Sequence, residues 1–159
     1  MNKENVTTVI KHSIKRVEVA DLDELMPLMR AYCDFYEVSP PDVDLLALVT
    51  ALIDDPEREG VQQLARDPGG RVAGFATLYW TWSTTNASRI GIMNDLFVAE
   101  RARGQGVAEQ LIEACRAECA HRGARRLTWQ TAPDNLRAQA VYDRIGATRE
   151  RWTDYWLAC

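Results

Sequence analysis

The segment Arg101-Ala102-Arg103-Gly104-Gln105-Gly106-Val107-Ala108 lies between an apolar run and an amphipathic pattern, and it decides how the rest of the chain is interpreted. Glycines let a backbone turn tightly and approach a ligand without interference from a Cβ atom. The free N–H groups at the start of a helix carry partial positive charge and can bind a phosphate oxygen. With two arginines added, the segment predicts an anion site, most simply one for a pyrophosphate. On spacing alone, a plain strand-to-helix turn with solvated arginines explains the same residues.

Two common phosphate-binding loops do not fit this segment. The third glycine of the dinucleotide fingerprint is missing, and no Gly-Lys-Ser/Thr closes a P-loop. The expected ligand is therefore a pyrophosphate-bearing cofactor that is neither a dinucleotide nor ATP.

The residues around the loop predict a strand, a helix and a second strand in that order. Residues 90–98 and 127–131 are apolar runs, whereas residues 104–122 carry apolar side chains at helical spacing. Two strands joined in this way through a helix run parallel, and the connection between them is right-handed. This part of the chain therefore predicts a parallel strand pair.

The residues further upstream predict antiparallel pairing. Residues 60–66 and 72–82 are typical of strands, and Asp67-Pro68-Gly69-Gly70 between them is a strong turn sequence. A hairpin here, combined with the parallel pair, predicts a mixed sheet in an α/β arrangement with helices covering it. The remaining predicted elements are a strand near 14–19, helices near 22–33, 42–53 and 136–145, and a final strand over 149–157.

The composition is typical of one globular domain. The chain has 159 residues, of which 47% are hydrophobic and 26% charged, and its net charge is −4. This composition excludes a disordered protein, a fibre and a transmembrane bundle, and the acidity argues against a nucleic-acid-binding face. We expect residues 1–12 to be a flexible lead-in and residues 13–159 a single domain. No signal peptide and no membrane-crossing run are recognised, so a cytoplasmic protein without membrane or nucleic-acid partners is expected.

The four cysteines, Cys33, Cys115, Cys119 and Cys159, predict buried thiols. A chain of this length needs no disulfide framework. No histidine or second cysteine pair lies at zinc-ligand spacing, so no metal is expected.

The glycine loop resembles the acyl-CoA-binding motif of the GNAT acetyltransferases. Arg101-x-x-Gly104-x-Gly106 matches the motif, and Asp95-Leu96-Phe97-Val98 precedes it as the family's splayed central strand does. The resemblance covers about residues 74–147 and favours a cofactor loop over a plain turn. The Gly74-Phe75-Ala76 strand, Asp95 and Gly146-Ala147 most resemble the diamine (spermidine/spermine-type) branch and its protein-modifying relatives. The matching residues after the loop are Asn135, Ala138, Ala140, Tyr142 and Ile145-Gly146-Ala147.

The resemblance implies a mixed, mainly antiparallel sheet with a central, splayed parallel strand pair and helices on both faces. It also implies acetyl-CoA as the cofactor, with CoA as the product. The backbone of Leu96, Phe97 and Val98 would pair with the pantetheine arm, and one N–H group there would polarise the thioester carbonyl. The other implied cofactor contacts are Arg103, Gly104, Gln105, Gly106, Val107, Ala108 and Glu109 around the pyrophosphate, and Asn135 beside the arm.

Two residues are implied in the chemistry. Tyr142 is the candidate general acid, because a phenol held near the sulfur can give the leaving thiolate a proton. Packing on the sheet is the ordinary alternative for this tyrosine. Asp95 occupies a position where the diamine branch has an acid pair, but its neighbour is Asn94, so half of the pair is missing. Asp95 is then a base acting through water, an anchor for a cation, or a carboxylate satisfied by nearby backbone.

The acceptor is expected near the connection of the first two helices. Tyr36 and Glu37 lie there, and Trp80 lies on the second hairpin strand. Carboxylates and aromatic faces suit an alkylammonium group, whereas solvated acids and a core tryptophan are the ordinary alternative. A homodimer is expected because the resembling branch is usually dimeric and aromatic residues are enriched at interfaces. The aromatic residues near the end of the chain are Trp152, Tyr155 and Trp156.

The predicted function is transfer of the acetyl group of acetyl-CoA to a primary amine, by direct attack in a ternary complex. The acceptor is a small amine or a peptide amine, and no motif separates the two. One alternative is a non-catalytic acyl-CoA-binding or regulatory domain on the same scaffold. Another is a protein lysine or N-terminal acetyltransferase. A nucleic-acid-binding module is disfavoured by the acidic charge.

Overall fold

A five-stranded sheet lies at the centre of the computed structural model, which describes residues 10–159. The strands are β1 (Ser13–Arg16), β2 (Gly60–Arg66), β3 (Val72–Ser83), β4 (Ser88–Val98) and β5 (Leu127–Thr128). They lie side by side in chain order. The first three pairings are antiparallel, and β4 pairs with β5 in parallel. The predicted mixed, mainly antiparallel sheet is therefore confirmed, but its parallel pair lies at one edge rather than at the centre, because β5 is the last strand of residues 10–159.

Helices cover both faces of the sheet. They are α1 (Leu22–Phe35), α2 (Asp42–Asp54), α3 (Val107–His121) and α4 (Leu136–Arg144). Successive side chains of a strand point to opposite faces, so Phe75 and Ala76 of β3 enter different core clusters. Phe75 lies in the cluster that includes Leu25 of α1 and Val49 of α2, whereas Ala76 lies with Leu111 of α3. The prediction of helices on both faces is confirmed.

The end of β4 has a strand neighbour on one side only. Within residues 10–159, β5 pairs with Gly91 and Ile92 alone, so residues 94–98 are paired only on the β3 side. A bulge at Asn94 also interrupts the pairing with β3, and bulges bend a strand. The two parallel strands therefore separate at this end.

The final strand predicted over residues 149–157 is wrong, because residues 147–159 form no strand. Side chains hold this segment near β5: Arg126 pairs with Glu150, and Nε2 of Gln130 donates to Oδ1 of Asp154 at 2.7 Å. A backbone ladder needs a neighbouring strand of similar length, and β5 has only two residues. The segment therefore stays beside the sheet without joining it.

The start of the described chain is tied to α3. Residues 1–9, the larger part of the predicted lead-in, lie outside the described residues. His12 is 5% exposed, and its backbone N–H donates to Oε1 of Gln110 at 2.9 Å. The division into a lead-in and a domain stays a prediction. None of the helices in residues 10–159 combines the length and apolar character that crossing a bilayer requires.

Three of the four cysteines are buried, as predicted, and Cys159 is exposed. Burial is the main cause that raises the pKa of Cys115 to about 12 and of Cys119 to about 11. Both side chains are therefore thiols rather than thiolates at neutral pH, which makes them poor nucleophiles.

Candidate active site

A cavity of about 500 Å³ opens where the free end of β4 meets the start of α3. Its walls come from α1, from the end of β4, from the loop before α3, from the residues that follow β5, and from α4. The glycine loop joins β4 to α3, so its tight turn brings these two walls together. The cavity therefore lies at the position where the sequence predicted an anion site.

Most of the site residues predicted from the sequence line this cavity. The exceptions are Gln105, Asp95, Glu37 and Trp80. The predicted residues that line it are Tyr36, Leu96, Phe97, Val98, Arg103, Gly104, Gly106, Val107, Ala108, Glu109, Asn135 and Tyr142.

Trp80 and Glu37, predicted to bind the acceptor, lie away from the cavity. Trp80 is 8% exposed in the core beneath α3, and its Nε1 donates to the Pro56 carbonyl at 2.9 Å. The guanidinium of Arg122 lies 4.4 Å from the centre of the Trp80 ring. Glu37 follows α1 in left-handed backbone with φ 55° and is exposed. The alternation of side chains along β3 turns Trp80 to the α3 face, so its predicted contact with the acceptor is wrong, whereas the predicted role of Glu37 stays a prediction.

The two loop glycines have left-handed backbone, with φ of 76° at Gly104 and 77° at Gly106. Residues with a Cβ rarely adopt this conformation. Gly106 is the N-cap of α3 and has no side chain, so the N-cap residue itself makes no side-chain hydrogen bond to the first turn. A Cβ at Gly104 would meet no atom within 4 Å, so the space beside the loop is open. The helix starts at Val107 rather than at Gly104 because these two residues are left-handed.

The two loop arginines point in different directions. Arg103 lines the cavity, and its Nε donates to the Val98 carbonyl at 3.2 Å. Arg101 donates to the Val72 carbonyl on β3 and is not among the cavity walls. Nε2 of Gln105 donates to the Arg101 carbonyl at 3.0 Å, so this side chain braces the loop from within. Arg103 is therefore the loop arginine that an anion in the cavity can reach.

Both ends of α4 are held in place beside the cavity. Asn135 is the N-cap, and its Oδ1 accepts a hydrogen bond from the Ala138 N–H at 3.2 Å. At the other end, Arg144 forms an ion pair with Glu109 on α3. This arrangement positions Tyr142, in the middle of α4, as a wall of the cavity.

Tyr142 lies in a half-buried aromatic environment. Its ring meets Trp129 edge-on, with the ring centroids 5.2 Å apart. Burial, followed by the nearby Tyr36, raises the pKa of the Tyr142 hydroxyl, while a hydrogen bond with Thr131 acts in the opposite direction. Because a phenol with a raised pKa is protonated at neutral pH, Tyr142 has a proton to give.

Tyr32 is a cavity residue that the predicted site did not include. Its ring lies edge-on to Tyr36, with centroids 5.0 Å apart. The signal for it was present in the sequence, because Tyr32 follows Leu28 and Met29 on the buried stripe of α1. A tyrosine on a buried stripe needs a polar partner for its hydroxyl. Helical spacing therefore indicated that the Tyr32 hydroxyl has a polar partner, although it did not indicate which residue supplies it.

The sequence pattern of the acetyltransferase (GNAT) family matches residues 24–147, a range that includes every wall of the cavity. The chain belongs to the GNAT acetyltransferase family. It is accordingly an enzyme, an acetyl-CoA-dependent N-acetyltransferase.

Two curated GNAT relatives and one solved structure are similar over most of their length. The uncharacterized N-acetyltransferase YhfO of Bacillus subtilis strain 168 is 31% identical over 134 residues, 84% of this chain and 88% of that protein. The D-amino-acid N-acetyltransferase HPA3 of Saccharomyces cerevisiae is 31% identical over 134 residues, 83% of this chain and 82% of that protein. The crystal structure of a probable acetyltransferase has a TM-score of 0.81 at 30% identity, covering 92% of this chain and 97% of that chain.

The cavity of this GNAT enzyme fits acetyl-CoA. A pyrophosphate requires several donors, and the first turn of α3 has N–H groups to which the N-cap residue makes no side-chain hydrogen bond, with Arg103 beside them. The amide groups of the pantetheine arm can form hydrogen bonds with the backbone of an unpaired strand edge. Within the described chain, residues 94–98 have no strand on the side opposite β3. The open space beside Gly104 leaves room for the ligand between these two positions.

Proposed function

We propose that this enzyme acetylates the primary amine of a small molecule of the diamine type, by direct attack within a ternary complex. One observation carries the proposal: a single cavity joins the glycine loop, the end of β4, Tyr142 and the aromatic end of α1. A donor held by the loop and β4 meets an amine that enters beside α1 in this one space. Among residues 10–159, no cysteine or serine lines the cavity, which favours direct attack over a covalent acyl-enzyme.

In this proposal, β4 and α3 hold acetyl-CoA, which supplies the acetyl thioester. N–H groups of Leu96, Phe97 and Val98 pair with the pantetheine arm, and one of them polarises the thioester carbonyl. A donor of this kind contributes about 3 kcal/mol to an acyl transfer. Arg103 and the N–H groups from Gly104 to Glu109 bind the pyrophosphate, and Asn135 contacts the arm from the start of α4.

In the same proposal, Tyr142 donates a proton to the leaving group, and Asp95 interacts with the protonated amine. The hydroxyl of Tyr142, protonated at neutral pH because burial raises its pKa, gives its proton to the leaving sulfur. Asp95 follows the bulge at Asn94 on β4 and pairs with Thr77 of β3. Its carboxylate serves the incoming amine, which arrives protonated and must lose a proton before it attacks.

Turnover of acetyl-CoA with a panel of amines tests this function. Thiol release is measured with diamines and polyamines, amino sugars, amino acids, and peptides that carry a free N-terminus or a lysine. We expect thiol release with the small amines and one acetylated product for each thiol. CoA binding without turnover of any acceptor, or turnover of peptides alone, would contradict the proposal.

Arg103→Ala is expected to weaken CoA binding about tenfold, because a hydrogen bond to a charged group contributes about 1.5 kcal/mol or more. Arg101→Ala is the matched control, since it removes the same charge from a neighbouring residue that donates to the Val72 carbonyl instead. Calorimetric titration of CoA into both variants measures the difference. Equal weakening in the two variants would show that Arg103 makes no specific contact.

We propose that the enzyme is a homodimer formed through its last residues. This segment forms no strand and exposes large aromatic and aliphatic side chains, whose contact with water is unfavourable. Aromatic residues are enriched in interfaces, and a second copy of the chain supplies the same aromatic surface for a symmetric contact. The exposed fractions are 83% for Trp152, 92% for Tyr155, 85% for Trp156 and 91% for Leu157.

Trp156→Glu is expected to raise the dimer dissociation constant about 30-fold, the effect of losing a hot spot worth about 2 kcal/mol. Trp82→Glu is the matched control, because Trp82 is also exposed (70%) but lies at the end of β3 beside Arg89. Analytical ultracentrifugation measures both variants in a Cys159→Ala background, which prevents a disulfide between the exposed thiols. A monomeric starting protein, or equal effects of the two substitutions, would contradict the proposed interface.

A further inference from the structure

The Asp95 carboxylate lies on the sheet face that α1 covers. Asp95 is two residues from Phe97 along β4, and the two pair with Thr77 and Phe75 of β3. Phe97 and Phe75 pack against the ring of Tyr32, at centroid distances of 6.1 Å and 5.9 Å. Because residues two apart share a face of a strand, Asp95 comes to lie beside Tyr32, which is itself a wall of the cavity.

The groups around Asp95 are neutral. Nδ2 of Asn94 donates to Oδ1 of Asp95 at 3.0 Å. Burial first, and then the charge of Asp95, raises the pKa of Tyr32 above its ordinary value and that of Tyr79 to about 12. Both phenols therefore stay protonated and can donate hydrogen bonds to a carboxylate.

No cation of the protein compensates Asp95 in the described part of the chain. Seven arginines of residues 10–159 form ion pairs, and none of these pairs includes Asp95. Asp95 is a half-buried carboxylate beside aromatic residues and neutral donors, so its charge favours a cation from outside. Tyrosine rings attract alkylammonium groups through their faces, which strengthens such a site.

We propose that Tyr32 and Asp95 form the subsite for the acceptor nitrogen, and that this subsite selects amines whose neighbouring carbon carries no carboxylate. This inference rests on the proposed function and names the acceptor class within it. A protonated amine supplies the positive charge that Asp95 lacks, whereas a carboxylate one carbon away is repelled by Asp95 at short range. Tyr32 acts as a positioning residue, because its hydroxyl and ring lie beside the carboxylate. The selected class is thus alkylamines and diamines, and α-amino acids are rejected.

The selectivity is tested with pairs of compounds, each an α-amino acid and the amine that lacks its carboxylate. Isobutylamine is compared with valine, and phenethylamine with phenylalanine, each amino acid as both enantiomers. We expect kcat/KM to favour the amine about tenfold or more in both pairs. Binding of the same compounds to the CoA-saturated protein, measured by calorimetry, is expected to show the same order. Equal affinity, or tighter binding of either amino acid, would overturn the inference.

Two variants test the roles proposed for Asp95 and Tyr32. Asp95→Asn is expected to remove the preference within each pair. Tyr32→Phe is expected to raise KM for the amine about tenfold while kcat and CoA affinity change little, and to have no further effect in the Asp95→Asn background. A preference that survives in Asp95→Asn, or additive effects of the two substitutions, would overturn the inference.

The proposed function and the selectivity assigned to Asp95 can fail separately. If no acceptor is turned over, the proposed function fails, and the binding order with CoA-saturated protein still decides the inference. If amino acids are turned over best, the amine-acetylating function stands and the selectivity assigned to Asp95 fails.

Discussion

Tyr142→Phe is expected to lower kcat about 100-fold or more while CoA binding stays within a factor of two or so, the range expected when a general acid is lost. The substitution keeps the ring that meets Trp129 edge-on and removes only the hydroxyl. Without that hydroxyl, the leaving sulfur must take its proton from water. Stopped assays of thiol release at saturating acetyl-CoA and amine measure the change in kcat.

Tyr155→Phe is the matched control for Tyr142, since it removes the hydroxyl of a tyrosine that is 92% exposed. This variant is expected to keep the kcat of the unchanged enzyme. If Tyr142→Phe keeps it as well, the hydroxyl gives no proton and the assignment is wrong.

The pH dependence gives a second check on Tyr142. Burial raises the pKa of its hydroxyl above the ordinary value near 10. An acid must be protonated to act, so this contribution is fully present at lower pH and is lost only as the pH rises through the raised pKa. We therefore expect no fall in kcat from Tyr142 between pH 7 and about 10. A fall in that range that disappears in Tyr142→Phe would contradict the raised pKa.

Gly74→Ala is expected to lower the free energy of unfolding by about 3 kcal/mol, the upper part of the range for overpacking. A Cβ at this position would lie 2.4 Å from the Phe97 carbonyl oxygen and 3.2 Å from the Cα of Val98. Both atoms belong to the backbone of β4, so no side-chain rotation relieves the contact. The strand must move instead, and it is the strand proposed to hold the pantetheine arm. Urea unfolding measures the stability, and calorimetry is expected to show weaker CoA binding in the folded variant.

Gly70→Ala is the control for Gly74. A Cβ at Gly70 would meet no atom within 4 Å, but its φ of 84° is left-handed, so alanine costs only about 1 kcal/mol there. CoA binding is expected to be unchanged, because Gly70 lies in the hairpin turn before β3. Equal losses of stability in the two variants would show that the approach of β3 to β4 at Gly74 is not tight.

Features that depend on near neighbours in the chain could be predicted from the sequence. The hairpin turn at Asp67-Pro68-Gly69-Gly70 and the helical stripe of α3 are set by backbone preferences and spacing, and both are present in the fold. The acids and aromatics near the end of α1 also indicated an acceptor region. Spacing could not say which of them enter the cavity, because that depends on how α1 lies across the sheet.

The predictions that failed depended on distant parts of the chain. Trp80 has an aromatic side chain of the kind that binds alkylammonium groups, but the register of β3 turns it to the face covered by α3. Residues 149–157 have the pattern of a strand, yet β5 is too short to pair with them. Tyr32 and Asp95 are 63 positions apart in the numbering, and only the packing of α1 on β4 makes them neighbours.

The segment from Arg101 to Ala108, together with the residues around it, indicated the family and the fold class and predicted an anion site. It could do so because left-handed backbone at Gly104 and Gly106 and the free N–H groups of a helix start are local properties. Tertiary structure alone decided that Arg103 rather than Arg101 reaches the cavity and that Asp95 lies near the phenols of Tyr32 and Tyr79. Side-chain direction and charge compensation are set by neighbours from other elements, and those neighbours are specified only when the whole chain packs.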